Sequence, residues 1–155
     1  MSSNSLGFVC EFDDEAKQAF DTFNKETNVG SALIFQLSIK TKKIQLEEKF
    51  DDVSLQELAE DLSGVMRIAV VQVGWFVPSD PTGKVVAKRI LLYFCPSDTV
   101  APLSVQRSYH LTSKTLEKDY ASHYTECFQI TSSEDLNEDW LKQRNYTFKK
   151  DLISE

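Results

Sequence analysis

The stretch Arg67-Ile68-Ala69-Val70-Val71-Gln72-Val73-Gly74-Trp75-Phe76-Val77 is almost continuously apolar and rich in β-branched residues. Such a run predicts a central strand covered on both faces. Its apolar part, residues 68–77, is interrupted by Gln72 and Gly74 and falls well short of the roughly 20 residues that cross a bilayer. The turn-rich Pro78-Ser79-Asp80-Pro81-Thr82-Gly83 follows, and residues 85–94 form a second run of the same kind. The two runs are expected to pair at the heart of a sheet.

Working outward, Phe12, Ala16, Ala19, Phe20 and Phe23 recur with helical spacing, and Asp13, Asp14 and Glu15 suit the positive end of the helix dipole. Residues 32–40 alternate, with Leu33, Phe35, Leu37 and Ile39 on one side, and residues 43–50 return after a Thr41-Lys42 turn, which predicts a hairpin. Ser54 with Glu57 three residues later is a capping box for a short helix carrying Leu55, Leu58, Ala59 and Leu62. After Pro96-Ser97-Asp98 a long helix is predicted over about residues 103–120, then a strand near 127–131 and a last helix with Asn137 as N-cap. The expected fold is a single α/β (α+β) domain, a central mixed β-sheet sandwiched between α-helices. It spans residues 5–146, with a flexible N-terminus at 1–4 and a C-terminal tail at 147–155.

The chain has 155 residues, 41% of them hydrophobic and 11% aromatic, enough for one core and against a disordered chain. Its net charge of -7 has the wrong sign for wrapping nucleic acid or anionic lipid, so neither is an expected partner and any basic recognition surface is local. Residues 1–6 lack both a basic region and an apolar core of a secretory signal, which predicts a cytoplasmic protein.

The three cysteines, Cys10, Cys95 and Cys127, form no C-x-x-C pair and suggest neither a disulfide framework nor a zinc site. Only His110 and His123 are available for nucleophile activation. Cys127 stands four residues from His123 without an orienting carboxylate, so a small thiol-dependent enzyme on Cys127 or Cys95 is the lesser expectation beside buried structural thiols. The acid pairs Asp13-Asp14, Glu47-Glu48 and Asp51-Asp52 suit helix starts and turns, and no metal site is expected. With five glycines and no Gly-rich phosphate loop, nucleotide hydrolysis is not expected, and neither catalytic residues nor a cofactor are assigned.

The long helix carries the remaining signal. Val105, Tyr109, Thr112, Leu116 and Tyr120 keep the helical period and face the sheet. Arg107, Leu111, Lys114 and Lys118 keep the same period on the opposite side, placing an apolar residue among cations on an otherwise acidic chain. That arrangement suits a small protein-docking site.

Three segments resemble the actin-depolymerising-factor homology family, the cofilin-like fold, and within it most of all the glia maturation factors. They are Phe23-Asn24-Lys25-Glu26-Thr27-Asn28, Ser54-Leu55-Gln56-Glu57-Leu58 and Ser133-Glu134-Asp135-Leu136-Asn137-Glu138-Asp139-Trp140-Leu141. The stretch Phe94-Cys95-Pro96-Ser97-Asp98-Thr99-Val100-Ala101-Pro102 is similar to a cofilin segment. Without a gap, the family's helix lysine falls on Ser113, and a lysine follows at Lys114.

The resemblance implies binding without covalent chemistry. Glia maturation factors bind the actin-related protein 2/3 complex, suppress branch nucleation and help dissociate branches, whereas cofilins bind and sever actin itself. In both, the implied docking surface is the N-terminal strand, the exposed face of the long helix and the region before the last helix. The expected main surface is therefore Phe8, Gln106, Arg107, His110, Leu111, Lys114 and Lys118. A second surface is expected at Lys84, Lys88, Arg89, Lys142 and Arg144, with Lys149 and Lys150 beyond it. Ser2, Ser3 and Ser5 are possible phosphorylation sites beside Phe8. The chain is expected to be a monomer in cortical branched actin networks, with actin as a further partner.

Overall fold

The computed structural model describes residues 7–124 and 126–149, His123 by its backbone alone. Eleven elements follow in chain order: β1 (Glu11–Phe12), α1 (Asp14–Phe23), β2 (Ala32–Ser38), β3 (Lys43–Phe50), α2 (Leu55–Asp61), β4 (Arg67–Phe76), β5 (Val85–Phe94), α3 (Leu103–Asp119), β6 (Glu126–Ile130), α4 (Glu138–Gln143) and β7 (Tyr146–Thr147). The sheet order is β1-β3-β2-β4-β5-β6, with β7 pairing β4. Strands β3, β2, β4 and β5 are mutually antiparallel, while β1 on β3 and β6 on β5 are parallel, so the sheet is mixed. The two apolar runs do pair at its centre, from Arg67↔Phe94 to Phe76↔Val85.

Alternation along each strand divides the core into two layers. Leu33, Phe35, Ile68, Val70 and Leu91 meet Phe20 and Phe23 of α1 and Tyr109 and Leu116 of α3. Ile34, Ala69, Val71, Ile90 and Leu92 on the other face meet Leu58 of α2 and Leu141 of α4. Helices therefore cover both faces of the sheet, as the sequence predicts. Truncating Phe20 or Phe23, both fully buried, removes a ring from the first layer at a cost of about 3–5 kcal/mol.

Local chemistry sets the helix starts. Ser54 Oγ accepts from Glu57 N–H at 3.1 Å, the N-cap half of the expected capping box, and donates its own hydrogen to the Glu57 carboxylate at 3.1 Å. Asn137 accepts from Trp140 N–H at 3.0 Å. Asp13 accepts from Ala16 N–H at 2.8 Å, so α1 begins one residue later and Phe12 is a strand residue, not the first of the helical face. Phe12 still fits the helical spacing because its ring folds back to stack on Phe20, centroids 5.0 Å apart.

Two further boundaries differ from the sequence reading. Strand β2 ends at Ser38, whose hydroxyl accepts from the Thr41 hydroxyl at 2.8 Å and opens a wider turn. The stretch expected as a tail, residues 147–155, opens on a paired residue, Thr147. Asn145, at φ 63, turns the chain back, and Tyr146 and Thr147 pair with Trp75 and Gly74. Tyr146 is buried and its hydroxyl donates to Glu126 at 2.6 Å. The ordered domain thus runs past residue 146, and the expectation for residues 1–4 lies outside the described residues.

The Gln72 that interrupts the central run is the hub of a polar knot. Its amide donates to Phe23 O at 3.1 Å and Glu26 O at 2.9 Å and accepts from Asn28 N–H at 2.5 Å. Arg89, its ladder partner on β5, donates to the carbonyls of Asn24 and Glu26. The Phe23 to Asn28 motif is therefore tied off at the C-terminus of α1 by side chains rising from the sheet.

Candidate functional site

Helix α3 buries Ser108, Tyr109, Thr112, Ser113 and Leu116 against the sheet. Arg107, His110, Leu111, Lys114 and Lys118 are exposed. Arg107, Leu111, Lys114 and Lys118 lie along one stripe about 16 Å long at 1.5 Å rise per residue. Leu111 is 38% exposed within it. Lys114 Nζ approaches Glu117 at 3.4 Å across solvent, a surface pair worth little by itself. The displaced lysine is resolved by geometry: Ser113 is buried and donates to His110 O at 3.2 Å, so the outward charge is carried by Lys114.

Two expected contact residues are partly occupied at home. Gln106 is half-buried and donates to Ala101 O at 2.8 Å, closing the loop that leads into α3. Phe8 packs partly into the first core layer, with Lys42 Nζ 5.0 Å from its ring centre.

The structure adds three residues that the sequence reading did not assign. Lys42, at the β2–β3 turn, is brought to Phe8 by tertiary folding alone. Val100 is 98% exposed and Leu103 59% exposed at the start of α3. Leu103 is one turn ahead of Arg107 on the same stripe, so its position was available from the helical period; its exposure was not.

The second basic set does not form one face. Lys88 and Arg89 are adjacent on β5 and point to opposite sides of the sheet. Arg89 is half-buried, its Nη2 donating to the carbonyls of Asn24 and Glu26 just after α1, and burial lowers its pKa. Lys88 lies over the Trp75 ring at 5.5 Å. Arg144 stacks 4.2 Å from the Trp140 ring centre and donates to Trp140 O at 3.0 Å. Lys84, Lys142 and Lys149 are exposed, while Lys150, Ser2, Ser3 and Ser5 lie outside the described residues.

Cys10 and Cys127 sit in surroundings that suppress thiolate. Burial, and then the Glu117 carboxylate, pushes the Cys127 thiol up to about 11, and burial also raises Cys10. The acid pairs have structural partners: Asp13 caps α1, Glu47 pairs with Arg67, and Asp51 lies 3.9 Å from Lys49. Among the described residues no group of three or more His, Cys, Asp or Glu is placed to hold a metal ion. No helix among them is long and apolar enough to cross a membrane.

A family model for cofilin/tropomyosin-type actin-binding proteins matches residues 9–145. A glia maturation factor of Drosophila melanogaster is 23% identical over 145 residues, 93% of this chain and 99% of that protein. Among solved structures, glia maturation factor from Caenorhabditis elegans superposes with a TM-score of 0.71 at 20% identity, covering 93% of this chain and 99% of the other. Streptomyces griseoflavus cofilin gives 0.67 at 16% identity over 89% and 99%. Human coactosin-like protein gives 0.64 at 19% identity over 86% of each. The mixed sheet between two helix layers is the cofilin-like fold that these proteins share, and the resemblance to glia maturation factor read from the sequence meets a relative and a structure of that name. With the family model spanning the chain from the N-terminal segment to the end of α4, this chain belongs to the cofilin/tropomyosin-type actin-binding proteins.

Proposed function

We propose that the chain binds the actin-related protein 2/3 complex through the outer face of α3, inhibits branch nucleation and promotes debranching. The observation that carries this reading is Leu111, 38% exposed and set among Arg107, His110 and Lys114 on a chain of net charge -7. An apolar point inside a basic ring suits a hydrophobic cleft with an acidic rim. Leu103 and Val100 extend its apolar part toward the N-terminus of α3.

Debranching by this route needs no bond chemistry. The free energy comes from preferring the conformation of the complex found away from a branch. A preference of about 1.4–3 kcal/mol shifts that equilibrium roughly ten- to more than a hundredfold. Action in the cytoplasm, at cortical branched networks, follows from this partner.

The double substitution Arg107→Glu with Lys114→Glu tests the surface. Affinity for the purified complex, measured by fluorescence anisotropy, is expected to fall at least about tenfold at low ionic strength. The deficit is expected to shrink near 0.15 M salt, where the screening length is about 8 Å. Equal affinity of variant and wild type at low salt removes α3 from the interface.

A cofilin-like mode, direct binding and severing of actin, is supported by the family's general actin-binding character. It calls for a second contact surface, and with Arg89 turned inward that role falls to Lys84, Lys88, Lys142 and Arg144.

A further inference from the structure

Residues 7–12 meet the sheet through only two ladder positions, Glu11↔Lys43 and Phe12↔Ile44. What holds the segment ahead of them is a pair of hydroxyls one helical turn apart on α3. Phe8 N–H donates to Ser108 Oγ at 3.1 Å, and Cys10 N–H donates to Thr112 Oγ1 at 2.9 Å. Alternate residues of an extended chain stand about 6.8 Å apart. Residues four apart on a helix are separated by a rise of about 6 Å. The two hydroxyls therefore imitate the acceptor row of a neighbouring strand. Both residues are fully buried, and Ser108 Oγ spends its own hydrogen on Ser104 O at 2.8 Å, leaving its lone pairs for the Phe8 amide.

Gly7 completes the arrangement. At φ +75, a Cβ there would stand 2.7 Å from Arg107 Cβ and 2.9 Å from Ser108 N. Only a residue without a side chain lets the segment sit against the root of Arg107, in a backbone conformation that other residues adopt at a cost. One face of the strap thus touches α3 at a residue of the docking stripe, and its next residue, Phe8, lies under Lys42.

We infer that Gly7, Ser108 and Thr112 form a clasp that presets the docking surface. The clasp fixes residues 7–10 along α3 and so sets where Phe8, Lys42 and Arg107 stand before a partner arrives. All three are positioning residues. The effect on binding rests on the docking function proposed above, whereas the clasp itself rests on the bonds just described. With so little sheet pairing of its own, the strap can leave α3 by giving up the packing of Phe8 and Cys10 on the first core layer, while the sheet and the second layer stay closed.

The test combines amide hydrogen exchange in the free chain with affinity for the purified actin-related protein 2/3 complex. Ser108→Ala with Thr112→Val removes both acceptors at nearly constant volume. Exchange at Phe8 and Cys10 is expected to speed up by about tenfold or more, with the amides of β4 keeping their protection relative to global stability. Affinity is expected to fall by about fivefold or more. Thr112→Ser keeps the acceptor and is expected to preserve protection at Cys10. Val73→Ala, in the far core layer, destabilises the fold and is expected to leave affinity unchanged. Unchanged exchange at Phe8 and Cys10 overturns the clasp. Faster exchange with unchanged affinity overturns its positioning role, as does an equal affinity loss in Val73→Ala. Failure of the docking function is read separately, from Arg107→Glu with Lys114→Glu, and leaves the exchange result to decide the clasp.

Discussion

Replacing Gln72 by Leu tests the polar knot that closes the C-terminus of α1. The side chain is 1% exposed, so its partners do not meet bulk water in its place. Two of the three lose only one of two bonds: Phe23 O keeps the N–H of Glu26 at 3.2 Å, and Glu26 O keeps Arg89 at 3.4 Å. The Asn28 N–H loses the acceptor that Gln72 supplies. An orphaned buried amide costs about 1–3 kcal/mol and each further lost bond about 0.5–1.5, offset in part by the more apolar side chain, for a net loss of about 2–4 kcal/mol. In urea unfolding followed by tryptophan fluorescence and circular dichroism, with m near 2 kcal/mol/M, the midpoint is expected to drop by about 1–2 M at constant m. Gln72→Glu is expected to do more harm at neutral pH and less in acid. A buried carboxyl facing carbonyls has its pKa raised, so its stabilising protonated form is present below the unfolded value and lost as pH rises. A loss for Gln72→Leu below about 0.5 kcal/mol refutes the argument, because the knot then contributes no more than an ordinary surface contact.

Glu48 is held above the usual carboxylate range, first by a hydrogen bond with Asp61, then by burial and the charges of Asp61 and Glu47. A raised folded pKa is stability present in acid and lost as pH rises, so Glu48→Gln is expected to raise Tm at pH 7 with a gain that vanishes near pH 4, checked by calorimetry at both. Cys127, pushed up to about 11, is expected to react with iodoacetamide at pH 8 about a hundredfold more slowly than a thiol of ordinary pKa until urea unfolds the chain. Equal rates in the folded and unfolded protein contradict its burial and revive a thiol-based function. Leu103→Ser with Leu111→Ser is expected to weaken docking on the actin-related protein 2/3 complex by about 2–3 kcal/mol at all salt concentrations, unlike the charge reversals, and a salt-dependent loss goes against an apolar contact.

Elements that carry their own pattern were legible in the sequence. Strand β4 reads directly because both its faces are buried and only Gln72 and Gly74 interrupt its apolar part, and Ser54 and Asn137 cap as their side chains dictate. Phe12 misled because ring stacking on Phe20 satisfies the helical period without helical backbone. β7, two residues long, has no period to detect and depends on the turn at Asn145. The stripe on α3 was legible as a helix face, whereas Lys42 reaches Phe8 only through the packing of the N-terminal segment. The inward bonds of Arg89 were illegible for a related reason: a cation on a strand reads as solvated until the segment after α1 is folded over it.

The most direct test of docking on the complex is co-sedimentation of the chain with bare actin filaments and, in parallel, with filaments carrying the actin-related protein 2/3 complex. Pelleting is expected to follow the amount of the complex, to be slight with bare filaments, and to lose its complex-dependent part in Arg107→Glu with Lys114→Glu. Strong pelleting with bare filaments, unaffected by adding the complex, contradicts docking on the complex and assigns the chain the cofilin-like mode.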